Sequence, residues 1–288
     1  MSATHIDWEV WREEHDEDYN VEENEEIKEK VKEDVGEMRR YIKHAPKRRA
    51  VPSFCAPLEL WHMVMFPNWR RRQTGGLGNP TKAPPNKTFW FLFKLGLHKM
   101  RQHKIVPTYW NCSLGAPLYK SHKLGPTRKR VVHILPVPGK AFFAKKLQYL
   151  PVDSDYGFVK GRRREAAILV SNAVSHRLRR VRRTHGLCFK DLSNAFASGN
   201  WPYMDQAVQD YVLEEDQALC RRRYRDAVVA LPAGEGGRVV LKTNQGGLMG
   251  DPFIVQAFNG TFRAPVEHAA MLTRLTLVVR SLLLSGRV

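Results

Sequence analysis

The chain has 288 residues, of which 43% are hydrophobic, and this share of apolar residues is enough to build a buried core. Its formal net charge is +18, and the charge is unevenly distributed: residues 1–40 hold 15 Asp or Glu against 6 Lys or Arg, whereas the rest hold 14 against 41. Such a positive excess favours a polyanionic partner, first nucleic acid and less strongly an anionic membrane or an acidic protein. A basic surface that serves only solubility is the alternative interpretation.

The sequence also argues against several classes of protein. The longest apolar run, 272–284, is interrupted by two arginines and is shorter than the ~18–20 residues of a membrane helix, so we expect no membrane span. The four cysteines include no Cys-x-x-Cys pair, which argues against a zinc finger or a disulfide scaffold. Acidic residues stand among the first ten positions in place of a basic and apolar leader. We therefore expect an intracellular protein, nuclear or cytoplasmic, that is not secreted.

The first predicted element in chain order is a helix over 27–42, because apolar residues recur there at helical spacing. These residues are Ile27, Val31, Val35, Met38 and Ile42. Acids precede the helix and basic residues end it, as the helix dipole favours. We assign residues 1–44 to an acidic, partly helical N-terminal extension and expect the helix to pack against its own domain.

The remaining pattern mixes short apolar segments with helical stripes and predicts a helix-rich α+β fold. Helices are predicted over 58–65, 87–102, 164–181 and 204–219, and short apolar segments or strands over 114–119, 130–137, 141–150, 186–190 and 239–241. A glycine turn follows at 245–250. Basic residues line the helix over 164–181 and form a cluster after 204–219, made of Arg221, Arg222, Arg223 and Arg225.

The most informative segment is 188–196, which reads Cys-Phe-Lys-Asp-Leu-Ser-Asn-Ala-Phe. Asp191 ends a predicted short strand, a position where a metal-binding carboxylate is held rigidly. Phe196, five residues on, is placed to lie beside a bound nucleotide. An Asp at this position is also a common helix N-cap or turn former, so the segment alone leaves both interpretations open.

Neighbouring motifs extend this pattern in both directions. Upstream, 157–162 reads Gly-Phe-Val-Lys-Gly-Arg and leads into a basic helix, and downstream, 245–252 reads Gln-Gly-Gly-Leu-Met-Gly-Asp-Pro. Trp110, Lys120 and the segment 130–135 stand further upstream. In this order and spacing, residues 45–265 resemble the reverse transcriptase domain of non-LTR (LINE-type) retrotransposons.

The resemblance implies right-hand polymerase fingers with an incomplete palm, and an RNA-directed DNA polymerase activity in which Mg²⁺ aligns a nucleotidyl transfer. Its ligands would be an RNA template, a DNA primer and deoxynucleotide triphosphates. Asp191 matches the catalytic, metal-binding aspartate, with the Leu192 backbone carbonyl beside it. The positions matching nucleotide-binding residues are Lys120, Arg130, Phe196, Gln245 and Gly246. Those assigned to nucleic-acid binding are Arg162, Arg163, Arg164, Arg177 and Arg180.

The sequence departs from the family pattern in its second pair of catalytic acids. The family carries an aromatic-x-Asp-Asp hairpin after the Gln-Gly turn, but this sequence holds no Asp-Asp pair, and its last acid is Glu267. One carboxylate cannot seat two metal ions, so we expect an inactive fragment, with 266–288 as an apolar and basic helical tail outside the family pattern. A non-catalytic basic nucleic-acid-binding protein is the alternative function, and a product that does not fold stably is a third interpretation.

Overall fold

The computed structural model describes residues 24–66, 87–119, 129–147, 156–159, 161–186, 195–233 and 237–261, without the side chains of Lys129 and Arg130. Within these ranges the protein is a helix-rich α+β fold with one four-stranded sheet, which confirms the predicted fold class at this level. None of the described helices is long and apolar enough to cross a bilayer.

The described elements follow one another in this order. The helices are α1 Glu25–His44, α2 Leu58–Met65, α3 Lys87–His103, α4 Thr108–Asn111, α5 Val137–Phe143, α6 Arg164–Arg180, α7 Trp201–Tyr211, α8 Glu214–Arg225 and α9, which begins at 252 and is described to 261. The strands are β1 Cys112–Tyr119, β2 Lys129–Ile134, β3 Val228–Pro232 and β4 Arg238–Lys242. The predicted helices over 27–42, 58–65, 87–102 and 164–181 and the strand over 239–241 are confirmed.

One predicted helix, 204–219, is wrong because it is two helices. The backbone leaves α7 at Val212, where it becomes extended and forms an isolated antiparallel bridge with Leu147. Three acids in the first turn of α8, Glu214, Glu215 and Asp216, then favour a new helix start. The periodicity of the sequence continues through the break, so the pattern alone did not reveal it.

The sheet has the strand order β2-β1-β3-β4. β1 pairs antiparallel with β2, with Leu114 opposite Ile134, and parallel with β3, with Cys112 opposite Val228. β3 and β4 form an antiparallel hairpin in which Val228 lies opposite Lys242. Among the described residues, β2 and β4 are therefore the two edges of the sheet.

The amphipathic helix α1 is part of the main core. Asn24 caps it, because its Oδ1 accepts the backbone N–H groups of Glu26 and Ile27 at 3.0 and 3.3 Å. The helix packs against α2, α3 and α5 through buried side chains. They are Val31, Val35, Met38 and Ile42. The segment assigned to an acidic extension thus shares, from residue 25 onward, the core of the residues that follow it.

Ion pairs beneath α1 strengthen this attachment. Asp34 is 1% exposed and accepts hydrogen bonds from Arg101 of α3 and from Lys146, both at 2.5 Å. Asp216 of α8 completes a balanced set of two acids and two bases, at 3.1 Å from Arg101 and 3.3 Å from Lys146. Burial alone would lower the pKa of Lys146. The charges of Asp34 and Asp216 outweigh this effect and raise the pKa, so Lys146 stays charged.

Candidate nucleic-acid and nucleotide site

Two backbone turns, 195–200 and 244–250, pack directly on each other. The N–H of Gly246 donates to the carbonyl oxygen of Gly199 at 2.6 Å, and the N–H of Gly247 donates to that of Phe196 at 2.8 Å. The indole Nε1 of Trp201, at the start of α7, donates to the Gly246 carbonyl at 3.0 Å. The structure therefore brings Phe196 beside the Gln-Gly turn, and we call this paired arrangement the turn contact.

The turn contact requires glycine at two positions. Gly246 has a φ of +62°, in the left-handed region, and a Cβ there would overlap the backbone of Phe196 and Ala197. A Cβ on Gly247 would overlap the side chain of Ile254 in α9. The two glycines of the Gln-Gly-Gly motif are thus explained by the close approach of the 195–200 backbone and of α9. The Gln245 side chain is exposed.

An aromatic cluster lies against the same turn. The ring of Phe196 is 5.1 Å from that of Phe258 in α9 and 5.8 Å from that of Phe158. Phe158 adopts a φ of +58° and is 71% exposed, and the neighbouring Gly157 accepts a hydrogen bond from Asn259 at 3.0 Å. The Gly-Phe-x-x-Gly-Arg segment is therefore attached to the turn contact, and it presents one aromatic ring to solvent.

Basic side chains continue from this exposed ring. The Arg162 guanidinium lies over the Tyr156 ring at 6.0 Å, and Arg163 and Arg164 are exposed. Along α6, Arg177 and Arg180 are exposed and make no ion pair with another described residue. The arginines assigned to nucleic-acid binding therefore lie at the two ends of α6, and exposed apolar side chains such as Leu169 and Val174 lie between them.

A buried ion pair fixes the far side of the Gln-Gly turn. Arg223 donates from Nε to Asp251 Oδ2 at 2.6 Å, from Nη1 to Asn111 Oδ1 at 3.1 Å, and to the Trp110 carbonyl. Asp251 also caps α9, because its Oδ1 accepts the Phe253 N–H at 3.1 Å. Both ion-pair partners are 1% exposed.

Two titratable groups near this ion pair depart from their ordinary behaviour. Burial lowers the pKa of Lys140 in α5; the charge of Asp251 opposes this shift, and the charges of Arg223 and Arg49 add to it. Burial and the charge of Asp251 raise the pKa of Tyr41 in α1. The surroundings of the ion pair therefore favour neutral side chains over additional charges.

Arg223 and Asp251 were not recognised as positioning residues from sequence. Arg223 was grouped with Arg221, Arg222 and Arg225 as a basic cluster, but it lies on the buried side of α8 with Leu219 and Cys220. Its spacing of four residues from Leu219 was the available signal, since that spacing places both on one helix face. The sequence pattern gives Phe158 no binding role, although this residue lies in the Gly-Phe-x-x-Gly-Arg motif.

Several predicted site residues lie outside the described residues. These are Asp191, Leu192 and Lys120, with the predicted strand 186–190 beyond its first residue and the tail 266–288. Arg130 is described only by its backbone, in β2. The catalytic and triphosphate-binding assignments therefore stay predictions.

The described residues alone do not fit a Mg²⁺ site. They contain no group of three or more His, Cys, Asp or Glu placed to hold a metal ion, and Asp251, the acid that follows the Gln-Gly turn in sequence, is engaged by Arg223. Binding of Mg²⁺ stays a prediction that depends on Asp191 and the Leu192 carbonyl.

Comparison with known proteins adds no family assignment. No protein-family model matches the chain, and no curated protein matches it. The function is therefore inferred from the geometry above and from the resemblance of motifs.

Proposed function

We propose that this chain binds nucleic acid and a nucleotide as the fingers and part of the palm of a reverse transcriptase-like domain. The observation that carries the proposal is the pair of backbone hydrogen bonds from Gly246 and Gly247 to Gly199 and Phe196. They join two segments, distant in sequence, that the resemblance assigns to one nucleotide site. An RNA template, a DNA primer and deoxynucleotide triphosphates are the corresponding ligands.

The surroundings of the turn contact support single-stranded nucleic acid as the ligand. Proteins that bind single strands combine exposed aromatic rings, on which bases stack, with cationic side chains that contact phosphates. Phe158 supplies an exposed ring, and Arg163 and Arg164 lie a few residues away at the start of α6. Arg177 and Arg180 place further positive charge at the other end of the helix.

Catalysis is a separate question from binding. RNA-directed DNA synthesis is the activity of the family that the chain resembles, and Mg²⁺ bound near Asp191 would neutralise phosphate charge there. Because the sequence holds no Asp-Asp pair, we expect this chain to bind a primer–template without extending the primer. Extension that Asp191→Ala abolishes would contradict this expectation.

The second candidate is a nucleic-acid-binding protein without a nucleotide site. The exposed arginines of α6 favour it, because they need no particular base or nucleotide to contact a phosphate backbone. The two candidates differ in one measurable property. A nucleotide site next to the template makes the affinity for a primer–template depend on the next complementary deoxynucleotide, whereas a plain basic surface does not.

Fluorescence anisotropy of a labelled RNA–DNA primer–template tests this difference. The full chain is titrated with Mg²⁺ present and with either the complementary or a mismatched deoxynucleotide triphosphate. We expect the complementary nucleotide to tighten binding and the mismatched one to leave it unchanged. Equal affinities with both nucleotides would reject the polymerase-like site and leave the second candidate.

The basic surface is tested separately through the salt dependence of binding. Arg177→Gln combined with Arg180→Gln should lower the steepness of the log–log salt plot by up to ~1.4, since each contact to a single strand contributes ~0.7. Lys32→Gln combined with Arg40→Gln removes the same charge from the exposed surface of α1 and is the matched control. Equal changes in both variants would show that net charge, not the α6 surface, determines binding.

A further inference from the structure

The outer edge of β4 carries backbone groups that no described strand pairs. Thr243 N–H donates to Ala227 and Ala233 N–H donates to Gly237, which fixes the hydrogen-bonded positions of the β3–β4 hairpin. In an antiparallel pair these positions alternate, so Val239 and Leu241 point their backbone groups toward β3. Arg238, Val240 and Lys242 therefore direct their N–H and C=O groups away from the described sheet.

The side chains of β4 make this edge chemically distinctive. Val240 is 62% exposed, and Val239 and Leu241 are each 49% exposed. Side chains alternate between the faces of a strand, so Arg238 and Lys242 flank Val240 on one face. An exposed apolar edge strand is a template for another strand, and this one selects for negative charge on both sides of an apolar residue.

A second copy of β4 is a poor partner for this edge. Antiparallel pairing of two copies about Val240 would place Arg238 of each opposite Lys242 of the other, and like charges directly opposite are destabilising. The strand that fits this edge best has an apolar residue at its centre and an acidic residue two positions before and two positions after it. Outside the described helices, the chain contains this pattern at Glu9-Val10-Trp11-Arg12-Glu13.

We propose that residues 9–13 of this chain add to the edge of β4 as a fifth strand. In either strand direction, Trp11 lies opposite Val240 and the two glutamates lie opposite Arg238 and Lys242. Backbone hydrogen bonds supply the pairing, and the charge pairs fix its register. The acidic N-terminal segment thereby gains a specific position on the sheet.

The segment between Glu13 and the start of α1 limits how far residues 9–13 can reach. The residues from Glu13 to Asn24 span up to ~35 Å when extended. Lys30 of α1 is 2.8 Å from Glu215 at the start of α8, and α8 then leads over ~18 Å to the sheet. There Val228 of β3 pairs with Lys242.

Amide hydrogen exchange of the full chain, resolved by residue, tests the proposal. We expect the Val240 and Lys242 amides to exchange about tenfold more slowly in the wild type than in a Glu9→Lys, Glu13→Lys variant. The Val239 and Leu241 amides, which face β3, should not change and serve as internal controls. A Glu14→Lys, Glu17→Lys variant, with the same change in net charge, should keep the wild-type protection.

Three outcomes would overturn the proposal. Fast exchange of Val240 in the wild type, equal to that of the first variant, would show that no strand is added. Equal loss of protection in both charge variants would show a general electrostatic effect without register. Protection that increases with protein concentration would assign the added strand to a second copy of the chain.

Discussion

The protein uses charge in two opposite ways in two regions. Beneath α1, Asp34, Arg101 and Lys146 are buried and, with Asp216, balanced in number, whereas the arginines of α6 are exposed and unbalanced. Buried charges are tolerated only when paired, so the first set stabilises one arrangement of helices. Exposed unpaired charges contribute little to folding and remain available to a polyanion. The high net charge therefore describes the surface of this protein better than its core.

Breaking the buried set should have the largest effect. Asp34→Asn leaves Arg101 and Lys146 with too little negative charge in the interior, and we expect a loss of about 3–5 kcal/mol in the free energy of unfolding. Chemical denaturation monitored by circular dichroism measures it. Glu33→Gln, one position earlier and exposed on the same helix, should change stability by less than about 0.5 kcal/mol. Similar losses in both variants would contradict the contrast between the regions.

Substitutions in the exposed region should change the affinity for nucleic acid and leave the free energy of unfolding nearly unchanged. Phe158→Ala should weaken binding of single-stranded RNA by about 1–3 kcal/mol, the contribution of one base stacked on an aromatic ring. Phe91→Ala removes a similarly exposed ring, 63% accessible, from α3 and should leave the affinity unchanged. Anisotropy titrations at one fixed salt concentration compare the two variants. If both lose affinity equally, the aromatic cluster has no special role.

The turn contact lies between these extremes, since it combines a structural requirement with a proposed function. Gly246→Ala should destabilise the fold by more than about 1 kcal/mol, because alanine is strained at this φ and its Cβ meets the Phe196 and Ala197 backbone. Gly36→Ala, in the interior of α1 with open space around its Cβ, should stabilise by about 0.5–1 kcal/mol. Denaturation curves that shift in the same direction would contradict the geometry of the turn contact.

The smallest expected effect concerns pH. Burial lowers the pKa of His133 in β2, whose Nδ1 lies 3.2 Å from Ser113 Oγ, so the folded state disfavours its protonation. The stability associated with neutral His133 is fully present above the ordinary histidine pKa of about 6.5 and is lost as the pH falls below it. His133→Gln should make the Tm less dependent on pH between about 7.5 and 5.5. An unchanged dependence would exclude His133 as a contributor.

The sequence predicted helices and strands correctly where the local pattern of apolar residues and prolines was sufficient to determine them. The apolar spacing predicted α1 and its packing, and the prolines on either side of 58–65 predicted the bounds of α2. The break between α7 and α8 did not, because Val212 leaves the helix for a bridge with Leu147, a partner distant in sequence. Pairing between distant segments has no local signal.

The candidate site was predictable in its motifs but not in its supports. The Gln-Gly turn and Phe196 were identified together, and the structure brings them into contact. The sequence groups Arg223 with three neighbouring arginines as one basic cluster, yet the structure buries Arg223 against Asp251. The spacing of residues along a helix determines which face each one lies on. In a run of four arginines within five residues, composition alone does not show which arginine lies on the buried face.

The central claim is that the segments 156–159, 195–200 and 244–250 form one nucleic-acid site. Amide hydrogen exchange of the full chain, with and without a saturating single-stranded RNA, tests it most directly. We predict slower exchange in the presence of RNA across these three segments and the first turns of α6. Bound RNA that leaves the exchange of all three segments unchanged would contradict the claim.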